Sequence, residues 1–274
     1  MRRMQTHPTC YPTDLTDEEW NQIRSLVPIP KSGQGKRGRP VEHDRRSLVN
    51  AVFYVVKAGC AWRLLPGDFP HWQTVYGYYR QWSQDWTWTF IHDTLRDWLR
   101  KTEGRNVAPT AAIVDSQSVK TPDQAGERGY DAGKKIKGRK RHLAVDSLGL
   151  ILGLMITSAA VQDRDAAKPL IQGLVELFGR LQIIWADGGY LGKLVQWSKQ
   201  LRPYGKLRLE IVRRCDRSKG FQVLPKRWLV ERTFGWFFKS RRLCRDYEVR
   251  IDHSEAMIRI CMIRLMVRRL ANAA

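Results

Sequence analysis

The spacing of apolar residues changes near Val107, and that change limits what the chain can fold into. Up to about Glu103, apolar positions recur at helical spacing. DRRSLVNAVFYVVKAG, WQTVYGYYRQWSQ and WTFIHDTLRDWLRK each keep one apolar face and predict helices. LTDEEWNQIRSLV predicts a shorter one, with Thr16 as N-cap and Glu19 three residues on to complete a capping box. Beyond Val107 the apolar runs are short. AAIVDSQSVK reads as a strand, and KGRKRHLAVDSLGLILGLMITSA as two more joined by a turn at Asp146-Ser147-Leu148-Gly149. DRDAAKPLIQGLVELFG is a helix despite Pro169, LQIIWADGGY a strand, LGKLVQWSKQLR a helix and LRLEIVRR a fifth strand. Two helices follow, from about Pro225 to Arg242 and from about Ser254 to Leu270, the second expected to pack on the sheet with its arginines outward. Three strands first, with helices interleaved later, predict a mixed α/β sheet rather than an all-parallel one. The division expected is a small all-α, helix-turn-helix-like domain over residues 1–105 and an α/β domain over residues 106–274.

Charge narrows the partner. The chain carries 48 Lys and Arg against 27 Asp and Glu, a formal +21. Solubility does not need so much, whereas a polyanion rewards it through release of condensed counterions. The five cysteines are scattered and form no C-x-x-C pair, which speaks against a zinc site or a disulfide framework. The N-terminal residues lack an apolar signal core. The most apolar stretch, Leu148 to Val161, is interrupted by Gly149, Gly153 and Ser158 and falls short of the ~20 residues of a membrane span. A cytoplasmic, nucleoid-associated protein is expected.

Three acids stand out. Asp115 lies in the first strand, at IVD, and Asp187 at the end of the fourth, at WADGG, where α/β sheets place their sites. Glu231 lies on the helix RWLVERTFGWFF. Taken singly, any of them reads as a cap, a turn residue or a surface carboxylate, as Asp146, Asp163 and Asp165 do. Together they are the oxygen-rich ligand set that suits Mg²⁺. A pair of such ions activates an attacking oxygen and stabilises a leaving one, so Ser116, Ser118 and Tyr190 need not act as nucleophiles. Arg227 precedes Glu231 by one helical turn, the poorer order for helix stability, which leaves room for a phosphate-binding role.

With these residues in view, the chain resembles the bacterial insertion-sequence transposases of the insertion sequence 5 group, in the DDE, RNase H-like superfamily. The likeness rests on YPTDLTDEEW, GRP, AGCAWRLLPGDFPHWQTVYGYYRQW, IVDSQSVKT, GYDAGKKIKGRKRHLAVDSLGL, VQDRDA, ADGGY and WLVERTFGWF, with RRL and DYE beyond. It implies an RNase H-like five-stranded sheet in the order 3-2-1-4-5, with helices on its flanks. It also implies a catalytic and metal-binding triad of Asp115, Asp187 and Glu231, holding two Mg²⁺ ions per site with Mn²⁺ as a substitute. The activity implied is cleavage at the terminal inverted repeats of the element and transfer of the freed 3′-hydroxyl ends into target DNA, by a homodimer or larger assembly. In the family's C-terminal signature, Tyr-x2-Arg-x3-Glu-x6-Lys, Arg227 and Glu231 fit. Leu224 holds the Tyr position and Phe238 the Lys position, so Lys239 or Arg242 is the candidate for the displaced base.

Further DNA contacts are expected from the basic run Lys134, Lys135, Lys137, Arg139, Lys140 and Arg141, read as a loop or strand entry near the acids. Arg37 and Arg39, in an AT-hook-like RGRP, are candidates for the minor groove. Gln73, Thr74, Tyr78 and Arg80 are candidates on a recognition helix, and Trp185 and Trp236 are candidates to stack on a displaced base. Two other classes stay open at this point. One is a non-enzymatic DNA-binding regulator. The other is a nuclease that cuts without joining ends.

Overall fold

A computed structural model of the chain describes residues 11–29, 43–123, 126–201, 207–212 and 226–273. In chain order the elements are α1 (Asp17–Ile23), α2 (Arg45–Ala58), α3 (Trp72–Gln84), α4 (Thr87–Thr102), β1 (Ala111–Lys120), β2 (Gly129–Asp131), β3 (Ile136–Val145), β4 (Ile151–Ser158), α5 (Asp163–Leu177), β5 (Ile183–Ala186), α6 (Lys193–Gln200), β6 (Arg208–Ile211), α7 (Trp228–Phe238) and α8 (Ile251–Ala273). They fall into two compact units. One comprises residues 1–103, 240–243 and 256–274; the other comprises residues 104–239 and 244–255.

The first unit is helical. Thr16 and Glu19 close the capping box at α1, the Glu19 N–H donating to Thr16 Oγ1 at 3.2 Å and the Thr16 N–H to Glu19 Oε2 at 3.0 Å. Asp44 caps α2, and Gly59 ends it at φ +73°, where a Cβ would also stand 2.8 Å from the Cβ of Arg241. Trp82 and Trp88 meet edge to face at 5.2 Å in its interior. Most of α8, which its sequence assigned to the sheet domain, belongs to this unit. Met257, Ile258, Met262, Ile263, Met266 and Val267 are buried, and Arg264 pairs with the buried Glu19 at 2.7 Å. An apolar helix face records that a partner exists, not which one.

The second unit is a mixed sheet with helices, consistent with an RNase H-like fold. β3 is antiparallel to both β1 and β4, while β5 is parallel to β1 and to β6. The strands run β4-β3-β1-β5-β6, and the three-residue β2 pairs with the start of β3. On one face, Ala112, Val114, Ala144, Ile184 and Ala186 pack against Leu170, Ile171 and Leu174 of α5 and Leu194 of α6. Side chains alternate along a strand, so Ile113 and Asp115 of β1, with Trp185 of β5, belong to the opposite face. There α7 packs on β1 and β3, contributing nothing to the first cluster.

α7 ends earlier than its sequence suggested. It stops at Phe238 with Lys239 as its C-cap, and Arg241–Leu243 form a 3-10 turn that belongs to the helical unit. No helix among the described residues is long and apolar enough to cross a membrane.

Candidate active site

Two features of the sheet bring the first two acids together. β1 and β5 are parallel with Ile113 beside Trp185, so Asp115 and Asp187, each two residues further on, emerge side by side on the α7 face. Backbone donors orient both carboxylates. The Ser116 N–H donates to Asp115 Oδ1 at 2.7 Å, and the Gly189 N–H to Asp187 Oδ1 at 2.8 Å. Their remaining oxygens are thereby aimed at a common point. The first turn of α7 supplies Glu231 from the other side.

At that point stands the guanidinium of Arg227. Its Nη2 is 3.4 Å from Asp115 Oδ2, 3.8 Å from Asp187 Oδ2 and 3.6 Å from Glu231 Oε1. Side-chain exposure rises from 14% at Asp115 to 31% at Asp187 and 52% at Glu231, so the cluster opens to solvent on one side. Burial pushes the Asp115 carboxyl up to about 6. The Ser116 N–H, Arg227 and Lys134 pull it down, and Asp187 pushes it up. Burial, then Asp115, Asp163 and Asp187, hold the Tyr190 hydroxyl well above its usual value.

The donor set fits a hard divalent cation, because all three partners are carboxylate oxygens. Among the described residues, no three His, Cys, Asp or Glu side chains are closed into a ready-made metal cage. The oxygens at 3.4–3.8 Å from the common nitrogen would each have to move in by about 1.3–1.7 Å to reach an Mg–O distance of ~2.1 Å.

The basic run divides in two. Lys134, Lys135 and Lys137 are exposed. Lys134 lies at the site, its Nζ donating to the Ser116 carbonyl at 3.3 Å. Arg139, Lys140 and Arg141 are buried, which corrects their reading as DNA contacts. They lie on β3, and their side chains, on the faces of the sheet, meet protein partners rather than solvent. Arg139 donates to the carbonyls of Glu127, Glu248 and Val249 at 2.8, 2.7 and 2.8 Å and pairs with Asp246 at 3.3 Å. Lys140 pairs with Asp163 at 3.2 Å and Asp131 at 3.5 Å, and Arg141 donates to Gln117 at 3.2 Å.

Arg242 is also corrected. It is buried in the helical unit and donates to the Cys60 carbonyl at 3.2 Å, because α7 does not extend far enough to carry it on the Glu231 face. Lys239 is exposed at the end of α7. Arg37, Arg39 and Leu224 lie outside the described residues. On α3, Gln73 and Arg80 are exposed, while Thr74 and Tyr78 are half-buried. Trp185 donates to Glu210 at 3.1 Å with Lys226 Nζ 3.8 Å from its ring centre, and Trp236 packs against Arg232. Sequence reasoning missed the central place of Arg227 among the acids. Its i,i+4 relation to Glu231 was the available signal.

Comparison with known proteins identifies the family. Residues 108–266 match the family described as "Transposase DDE domain", and residues 15–92 match the one described as "Putative transposase of IS4/5 family". Two Burkholderia cepacia proteins are similar. The "Putative transposase for insertion sequence element IS402" is 29% identical over 160 residues, 55% of this chain and 72% of the relative. The "Insertion element IS402 uncharacterized 16.2 kDa protein" is 28% identical over 124 residues, 44% of this chain and 78% of the relative.

Proposed function

The chain belongs to the DDE-domain transposases, enzymes that cleave DNA and transfer strands, and from that premise we propose that Asp115, Asp187 and Glu231 are its catalytic, metal-binding acids. The reaction is cleavage at the terminal inverted repeats of its own insertion sequence, followed by transfer of the 3′-hydroxyl ends into target DNA. In the first step a water oxygen bonds to phosphorus as the 3′-oxygen leaves. In the second, that 3′-oxygen attacks a target phosphorus and displaces a target 3′-oxygen. Two Mg²⁺ ions, or Mn²⁺ in their place, would activate the attacking oxygen and stabilise the leaving one.

The protein supplies position and charge. Asp115 and Asp187 are held by the Ser116 and Gly189 N–H groups, so their free oxygens are oriented before a cation arrives. Arg227 is suited to grip a phosphate, since a guanidinium pairs with two phosphate oxygens at once. Lys134, Lys135, Lys137 and Lys239 are exposed cations for the backbone of a duplex. The helical unit is the repeat-binding module, with Gln73 and Arg80 of α3 facing outward. Pairing two element ends calls for at least a homodimer, working in the cytoplasm on nucleoid DNA.

One observation carries this reading: three acids remote in sequence surround a single cationic nitrogen. The test is a nicking and strand-transfer assay on DNA bearing the element's terminal repeats. Wild type is expected to cut and join under Mg²⁺, and Asp115→Asn to bind the repeats without cutting. Repeat binding without nicking by wild type under Mg²⁺ and Mn²⁺ would make the protein a regulator. Nicking without joining would make it a simple nuclease.

A further inference from the structure

A charge placed centrally among three carboxylates normally makes short bonds, about 2.7–2.9 Å for N⁺–H···O⁻. Arg227 makes none. Its contacts with the three acids lie at 3.4, 3.6 and 3.8 Å and share one nitrogen, Nη2. Its Nε–H is buried without a hydrogen-bond partner among the described residues. The guanidinium thus neutralises the cluster without being satisfied by it. A divalent cation bound by the same oxygens would need the volume that Nη2 occupies.

We propose that Arg227 is a built-in occupant of the cation site, holding Asp115, Asp187 and Glu231 together in the metal-free enzyme and leaving when divalent ions enter. This rests on the reading of those acids as metal ligands. Cation entry and release of Arg227 are then one event. The arginine is withheld from DNA phosphates until the site is charged, and the three acids are spared mutual repulsion while it is empty. Arg227 competes with the metal and is a positioning residue for its ligands.

Competition has a numerical signature. If about one molecule in ten has Arg227 displaced, the apparent affinity for a divalent ion is about tenfold weaker than the intrinsic one. Mn²⁺ binding to the full chain without DNA, read from the free-ion EPR signal at fixed pH and salt, tests this directly. Arg227→Gln is expected to bind Mn²⁺ about tenfold more tightly than wild type. In EDTA it should melt below wild type, and the gap should close as Mn²⁺ is added. Lys134→Gln is the control, because its charge also acts on Asp115 while its Nζ is held at Ser116, outside the three acids. Its Mn²⁺ affinity should stay within about twofold of wild type, well short of the tenfold change.

Equal or weaker binding by Arg227→Gln overturns the proposal. An equal gain in Lys134→Gln also overturns it, since the effect would then be the general field of one cation fewer. Asp115→Asn separates the two layers. If it loses Mn²⁺ while Arg227→Gln gains nothing, the acids remain the ligands and only the role of Arg227 falls. If Asp115→Asn binds Mn²⁺ as wild type does, the metal assignment falls and this proposal with it. Should Arg227→Gln not fold in EDTA, Arg227→Lys serves instead: a gain smaller than tenfold is expected, and wild-type affinity overturns the proposal.

Discussion

Two arginines in the same α/β unit sit among carboxylates in opposite ways. Arg139 is fully buried, pairs with an equally enclosed Asp246 and gives its remaining donors to the carbonyls of Glu127, Glu248 and Val249. Asp246 also accepts from the Ser254 hydroxyl and the Glu248 N–H. Every strong group is matched, so that cluster ties the 244–255 segment to the sheet and has nothing left to offer a ligand. Arg227 faces more charge with fewer good bonds, and one side of its cluster is open to solvent. The difference separates a saturated ion cluster from an unsaturated one. The Arg139 pair is saturated by protein. The Arg227 cluster is left short of partners and has donors and acceptors to offer.

The sharpest way to break that contrast is Asp115→Asn. It should lower Mg²⁺-dependent cleavage by about 10³-fold or more, since metal assistance amounts to several kcal/mol at tenfold per 1.4 kcal/mol. Its melting temperature without metal should not fall, and an unfolded Asp115→Asn protein would show that the acid is structural. Next comes Arg139→Ala, which strands a buried carboxylate and should cost about 3–5 kcal/mol in urea unfolding. Arg227→Gln should cost less. Equal losses would erase the distinction between the two clusters.

Titration sharpens the contrast further. Asp115 is held at about 6 in the folded chain, against ~3.9 unfolded. Between those values the folded form binds the extra proton, so Asp115 makes metal-free stability fall as pH rises from about 4 to 6, with no further change above. Asn cannot titrate. The melting temperature of Asp115→Asn minus that of wild type should therefore grow through that window, by on the order of a few degrees. A constant difference would contradict the burial of Asp115. The smallest effects are expected from Lys135→Gln and Lys137→Gln. Each should weaken binding to any DNA sequence and flatten the slope of log affinity against log salt by about 0.9 for each phosphate left without its cation. A change in sequence preference would instead point to base contact.

Much of the α/β unit was legible locally. AAIVDSQSVK predicted the strand seen at Ala111–Lys120, and the turn at Asp146 is present, its side chain accepting the Leu148 and Leu150 N–H groups at 2.8 Å. β2 was missed because three residues carry too little period to register. KGRKRH read as an exposed basic run because charge normally stays in solvent. Arg139, Lys140 and Arg141 are instead enclosed, with Asp246, Asp163 and Gln117 as their partners. The end of α7 at Phe238 was hidden for a similar reason, as FFKSRRL contains no glycine or proline to stop a helix.

By itself, the sequence determined the period of each element, the caps and turns, and the identity of the acids at strand and helix ends, because these depend on near neighbours along the chain. Only the tertiary structure decided which cations are interior, that α8 belongs largely to the helical unit, and that Arg227 stands between the three acids. Those outcomes depend on neighbours in space. A charge buried beside a carboxylate and one left in water can have the same local sequence, and what separates them is the dielectric and the partners that the fold supplies.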